Sequence, residues 1–110
     1  RYFYTEEGKN LDTGSFVKLF EYATAKEARV LGKPSSDFFM TAIEQLGLNP
    51  EEVAIVGDDL TTDIKGANNI NAISVLVKTG KYSDQVAADN PSITPDYVID
   101  SICDLLPILK

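Results

Sequence analysis

Val53-Ala54-Ile55-Val56-Gly57-Asp58-Asp59-Leu60-Thr61-Thr62-Asp63 is the stretch on which the fold turns. Residues 53–56 are continuously apolar, of strand length and without polar alternation, the pattern of a strand covered on both faces, as in a parallel sheet. Gly57 lets the backbone turn sharply where the strand ends, and residues from about Thr61 to Asn69 read as helix. Ile73 to Val77, apolar but for Ser74, reads as a second strand of the same kind, and Tyr97-Val98-Ile99 is a shorter third strand. Strand, helix, strand, loop, strand and helix with short connections predict right-handed βαβ units, hence an α/β fold with a parallel sheet. The segments 54–56, 73–77 and 98–99 are expected to be neighbouring strands, with Asp58 and Thr79 at one edge of the sheet.

Upstream, Ser35 can cap a helix with an apolar stripe of Phe39, Ala42, Ile43 and Leu46, ended by Gly47. Asn49-Pro50-Glu51-Glu52 carries proline at the first position and Glu at the third, a capping-box pattern for a short helical turn. Gly32-Lys33-Pro34 marks an abrupt chain reversal, because proline fixes φ and restricts its predecessor. The first third is less regular. Tyr2 to Thr5 reads as extended, residues 6–10 as a turn, and Thr13-Gly14-Ser15 as the cap of a helix carrying Phe16, Leu19, Phe20 and Ala23. Ala28 to Leu31 is a short β-prone run. Downstream, a short helix near Gln85 to Ala88 and a last helix capped by Ser101 complete the pattern, with Cys103 read as a small core residue.

Composition narrows the chemistry. The 110 residues are 44% apolar and 25% charged, one domain's worth of ordinary globular chain. The net charge of −7 makes nucleic acid an unsuitable partner. There is no histidine, which excludes Ser-His-Asp and Cys-His nucleophile systems and His-ligated metals within these residues. The lone Cys103 excludes a disulfide scaffold and a Cys zinc site, and fits a reducing compartment, so a cytoplasmic location is expected. No apolar run approaches the roughly 18 residues of a membrane span, and no signal segment is visible. The chain begins at Arg1 and moves straight into an aromatic strand-like run, which reads as a piece of something longer.

What remains is carboxylates, lysines, hydroxyls and backbone. In open α/β sheets ligands collect at the carboxyl ends of the strands. Asp58, first out of its strand, would point into that crevice, and Asp63, in the first helical turn, can bend back toward the same spot. Hard oxygen ligands without His or Cys favour Mg²⁺. Helix capping accounts for one aspartate, but Asp58, Asp59 and Asp63 together exceed what capping needs; Asp59 is expected to face solvent or to stand behind the ligands. Lys33, pinned between Gly32 and Pro34 before a helix, is a fixed positive charge suited to an anion. It is not part of a Walker A loop, since Glu27 stands where the first glycine belongs and Pro34 where Ser or Thr should be. Lys78-Thr79-Gly80-Lys81 also follows a strand, and reads as a structural turn.

Lys33 in a Gly-Lys-Pro turn followed by Gly57-Asp58-Asp59-x-x-x-Asp63 resembles motifs III and IV of the haloacid dehalogenase (HAD) phosphohydrolase superfamily. The stretches 32–39, 53–67 and 76–82 are similar to its capped NagD-like and p-nitrophenylphosphatase-like subfamily, and most of all to the phospholysine/phosphohistidine/inorganic-pyrophosphate phosphatase branch. The resemblance implies that residues 1–31 are the end of an α/β cap and that 32–110 are the C-terminal half of a Rossmann-like core. It implies that Lys33 binds the substrate phosphate, that Asp58 holds Mg²⁺ and that Asp63 supports the metal's water or Lys33. Asn71 stands where relatives often place glycine, in a left-handed helix-end position that Asn tolerates. The family's D-x-D-G nucleophile motif has no match, so the catalytic aspartates would lie upstream of Arg1.

The function expected is therefore part of a Mg²⁺-dependent phosphatase acting on small phosphate esters, phosphoramidates or pyrophosphate through an aspartyl-phosphate, inert as this chain alone. Without the missing N-terminal half, an apolar face is expected to stay exposed and to drive homodimerisation, swapping or aggregation. The competing class is a non-catalytic α/β module that binds phosphate or metal; a D-x-D-G in the parent reading frame separates the two.

Overall fold

The computed structural model describes residues 2–108 and divides the chain into two compact units between Val30 and Leu31. In the first, β1 (Tyr2–Thr5) and β2 (Gly8–Leu11) form an antiparallel hairpin pairing Tyr2 with Leu11 and Thr5 with Gly8. Residues 8–10, expected as turn, are strand. The reversal needs only Glu6-Glu7, because Gly8 takes φ +118 and Asn10 Nδ2 donates to Thr5 Oγ1 at 2.9 Å. Helix α1 (Thr13–Thr24) starts one residue earlier than its expected cap: the Asp12 carboxylate accepts from the Thr13 N–H at 2.7 Å. Its apolar residues Phe16, Leu19 and Phe20 are more than half exposed. The β-prone run 28–31 forms no strand; Ala28 N–H donates instead to the Glu21 carboxylate at 2.9 Å. Propensity alone does not make a strand where no ladder partner is at hand.

The second unit is a three-stranded parallel sheet in the order β3 (Ala54–Gly57), β4 (Ile73–Val77), β5 (Tyr97–Ile99). Ala54 registers with Ile73, Gly57 with Leu76, and Val77 with Ile99. These are the three parallel neighbours the sequence predicts. Residues 74–77 of the central strand are buried, as a strand covered on both faces should be, Ser74 included, whereas in β3 Ala54 is exposed and Ile55 and Val56 only half-buried. The difference is position, since β3 lies at the edge of this sheet.

Helix α2 (Ser36–Leu46) ends at Gly47, whose φ of +68 is left-handed and whose N–H reaches back to Glu44. Its Phe39 and Ile43 pack with Ala67, Ile70 and Ala72. A turn at Pro50–Glu52 follows, in which Glu52 accepts from the Asn49 N–H at 2.8 Å. After β3 the chain makes one π-helical turn, Leu60–Ile64, before α3 (Lys65–Asn69). Leu60, Ile64 and Leu76 form a second cluster with residues of α4 (Asp84–Asp89). On the opposite face Val75, Val77 and Ile99 pack with Leu105 of α5 (Leu105–Ile108). Side chains alternate along β4, so helices cover both faces. Asn71 takes φ +59. Cys103, expected in the core, is exposed in the turn before α5. Among the described residues no helix is long and apolar enough to cross a membrane.

A buried strand hydroxyl, that of Ser74, is paired with the exposed Asp96 just before β5. Ser74, fully buried, donates its N–H and its Oγ–H to Asp96 Oδ2 at 2.8 and 2.7 Å, and its Oγ accepts from the Asp96 N–H at 2.9 Å. These Ser74 bonds hold the Asp96 carboxyl below its ordinary range. A depressed folded-state value means stability that is present above the unfolded value and lost as pH falls through the folded one. Asp96→Ala, which strands the two Ser74 donors, is expected to cost about 1–3 kcal/mol. Urea melts should show that loss at neutral pH and a smaller one near pH 2. An equal loss at both would refute the linkage.

Candidate active site

Four side chains gather where β3 ends and α3 begins. Gly57 is the last strand residue, and a Cβ there would lie 2.4 Å from Asp63 Cβ and Oδ2. The missing side chain is what lets Asp63 lean back over the strand end. The π turn helps, because Ile64 N–H bonds to Asp59 O at 3.3 Å while Asp63 N–H bonds to the same oxygen at 2.9 Å. Such a bulge re-aims a side chain that a regular helix would send elsewhere.

Asp63 is 7% exposed. Its Oδ1 receives the Lys33 ammonium at 2.6 Å and its Oδ2 accepts from the Asp59 N–H at 3.3 Å. Lys33 comes from the loop before α2, across a cis Lys33–Pro34 bond, and that loop is tied to α3 by Asn69 Nδ2 donating to Pro34 O at 3.1 Å. The hydrogen bond to Asp63 raises the lysine above its ordinary value against the opposing effect of burial, with the charges of Asp63, Asp59 and Asp58 adding to the rise. In Asp63→Asn the Lys33 ammonium should therefore titrate at lower pH than in the unaltered chain. The Cε resonance of labelled lysine followed through alkaline titration checks this, and an unmoved Lys33 would contradict the pairing.

Asp59 does not face solvent. It caps the π turn, its Oδ1 accepting from the Thr61 and Thr62 N–H groups at 3.0 and 3.2 Å and from Thr61 Oγ1 at 2.8 Å, and its side chain is 16% exposed. Burial alone would push the carboxyl up, but the Thr61 bonds and Lys81, whose Nζ lies 3.2 Å away, outweigh it and hold Asp59 below its ordinary range. Asp58, the first residue beyond β3, is half-buried. Its Oδ2 accepts from the Lys81 N–H at 2.7 Å.

Lys33, Asp58, Asp59 and Asp63 thus lie near one another from two separate segments; the sequence placed Asp58 and Asp63 at one spot, and the family resemblance added Lys33. The loop after β4, read from the sequence as a structural turn at the same sheet edge as Asp58, also contacts the Asp58 carboxylate. Residues 79–81 pass directly over Asp58, while Lys78 turns outward to Asp100 at 3.2 Å. The shared edge follows from topology, since Gly80 and Lys81 come after the strand paired with β3; the amide contact itself had no sequence signal. Among the described residues no three Asp, Glu or Cys side chains converge as a metal cage. A separate cleft lies at the other end of the sheet, lined by Asn68, Asn71, Thr94 and Tyr97. It contains no cationic side chain, and its Asp96 is committed to Ser74.

The HAD-hydrolase-like family model matches residues 30–105, most of the chain and all four of these side chains. The chain belongs to the HAD-like hydrolase family. The HAD-like chain is 40% identical over 111 aligned positions to the phospholysine phosphohistidine inorganic pyrophosphate phosphatase of Xenopus laevis, covering 99% of this chain and 40% of that one. It superposes on the p-nitrophenyl phosphatase from Archaeoglobus fulgidus with a TM-score of 0.83 at 32% identity, over 98% of this chain and 43% of that one. It also superposes on the glycerol phosphate phosphatase Rv1692 of Mycobacterium tuberculosis, solved in complex with magnesium, with a TM-score of 0.71 at 33% identity, over 89% and 30% of the two chains. The chain therefore spans about 40% of the length of the curated relative it matches.

Proposed function

We propose that these residues are the C-terminal, charge-stabilising half of the active site of a Mg²⁺-dependent phosphatase, with the nucleophilic aspartate upstream of Arg1. The observation that carries this reading is the fixed Lys33–Asp63 pair beside Asp58 at the end of β3, in a chain of a hydrolase family whose named relatives include phosphatases. Residues 1–31 are read as the end of a cap and 32–110 as the second half of the core. Substrates are small phosphorylated molecules: phosphate esters, phosphoramidates or pyrophosphate.

In this reading Lys33 binds the non-reacting phosphate oxygens. Asp63 does not touch substrate; it orients the ammonium and keeps it charged. The upstream aspartate attacks phosphorus, the leaving group departs, and water hydrolyses the aspartyl-phosphate. The donor set fits Mg²⁺ as one part of a shared site. Asp58 offers an anionic oxygen at the sheet edge, and Mg²⁺ takes one or two carboxylates and completes its shell with waters and substrate phosphate. When bound, the ion neutralises charge on the transferring phosphoryl group.

The test is phosphate release from p-nitrophenyl phosphate by the full-length protein across a Mg²⁺ titration. Turnover is expected, and Lys33→Met should lower it at least tenfold with the Mg²⁺ requirement little changed, since the partner of Lys33 is phosphate. No turnover from a full-length protein that carries a D-x-D-G motif would overturn the phosphatase reading and favour a binding module.

A further inference from the structure

We infer that the Gly80–Lys81 turn is the positioning device of Asp58, holding one carboxylate oxygen so that the other is presented, pre-oriented, to a divalent cation. The inference rests on the metal role proposed above for Asp58 and deepens it. Lys81 contributes its main chain: its N–H donates to Asp58 Oδ2 at 2.7 Å, and among the described residues this is the hydrogen bond that the Asp58 carboxylate makes. An aspartate at a strand end otherwise rotates about its last torsion; accepting one amide on Oδ2 fixes the carboxylate plane and leaves Oδ1 for a ligand.

Gly80 makes that contact possible in two ways. Its φ of +71 is left-handed, and a Cβ added there would stand 2.0 Å from Asp58 Oδ2 and 2.9 Å from its Cγ. No side chain shares that space with the carboxylate. The turn is also tied at both ends. Lys78 N–H continues the ladder to Ile99 O at 2.9 Å, and the Lys81 ammonium reaches Asp59 Oδ2 at 3.2 Å, bracing the turn against the loop that carries Asp58. A ligand group ordered before binding does not lose its rotational freedom on binding, which is the gain from pre-organisation.

Gly47 supplies a matched control. It has nearly the same backbone, φ +68, but nothing within 4 Å of an added Cβ. Gly80→Ala and Gly47→Ala in the full-length protein should therefore lose similar stability to backbone strain. Only Gly80→Ala should weaken Mg²⁺ binding measured by calorimetry, by about tenfold, and raise the Mg²⁺ needed for half-maximal turnover while leaving KM at saturating Mg²⁺ unchanged. If Gly80→Ala binds Mg²⁺ normally while Asp58→Asn does not, the positioning role is refuted and the metal role of Asp58 stands. If Asp58→Asn also binds normally, both are refuted. Should Gly80→Ala not fold, the Lys81 amide resonance of the unaltered protein gives the answer. It should shift as Mg²⁺ is added, and an unmoved resonance at saturation would overturn the inference.

Discussion

Gly66→Ala is expected to destabilise the chain by about 2 kcal/mol, although alanine is the better helix former. Gly66 is buried in the first turn of α3, and its missing side chain is where Phe39 of α2 sits. A Cβ would fall 1.9 Å from Phe39 Cε2 and 2.6 Å from Cζ, far inside contact distance. The ring has little room to retreat, being 8% exposed and packed with Ile43 and Ala67. It also meets Phe38 edge-to-face, with centroids 5.2 Å apart. Overpacking of this kind costs about 1–3 kcal/mol, and an intrusion this deep belongs at or beyond the upper end. The helix-propensity gain of Gly→Ala returns about 1 kcal/mol. Sterics therefore prevail. Denaturant melts should show a lowered midpoint, and the loss should shrink by about 1 kcal/mol or more in a Phe39→Leu background, because the two positions share one space. A Gly66→Ala chain as stable as the original would mean that α2 and α3 do not pack as described.

What the sequence made legible follows from which physical signal each element carried. The three strands were readable because short, nearly all-apolar runs have few other uses, and their order followed from connections too long for hairpins. Helix ends were readable wherever one residue carried the geometry, as Gly47 and Asn71 do. The hairpin 2–11 was harder, because Gly8, Lys9 and Asn10 have turn chemistry, yet the ladder with 2–5 takes all three into a strand. Cys103 misled because apolar spacing predicts a face, whereas the short turn 102–104 puts it outside. At the site, Lys33 stood out by its Gly-Pro setting and Asp63 by its place after the strand, but their mutual contact at 2.6 Å joins positions thirty residues apart. The π turn and the amide of Lys81 had no residue-type signal at all. Any residue but proline brings an N–H, so only tertiary structure shows that this one is spent on Asp58.

The same amide makes Asp58→Asn a sharper test than an isosteric change usually is. Asparagine has one acceptor oxygen where aspartate has two. With the Lys81 N–H directed at Oδ2 at 2.7 Å, the lone oxygen of the introduced asparagine is drawn to that donor, and its NH₂ group turns toward the crevice. A cation would then meet a donor where it needs an anionic oxygen. In the full-length protein the fold should persist, since the Lys81 bond survives, while Mg²⁺ binding weakens and turnover falls by on the order of 10²-fold or more, only partly restored by extra Mg²⁺. Asp59→Asn should be much milder. Asparagine is as good a cap as aspartate, so the bonds from Thr61 and Thr62 remain, and the lost pair with the largely exposed Lys81 is of the kind that contributes little. Phosphate release and calorimetric Mg²⁺ titration of the two variants side by side decide the matter. A crippled Asp59→Asn beside a near-normal Asp58→Asn would transfer the metal role to Asp59, and two near-normal variants would leave the proposed metal site without a ligand in this half of the protein.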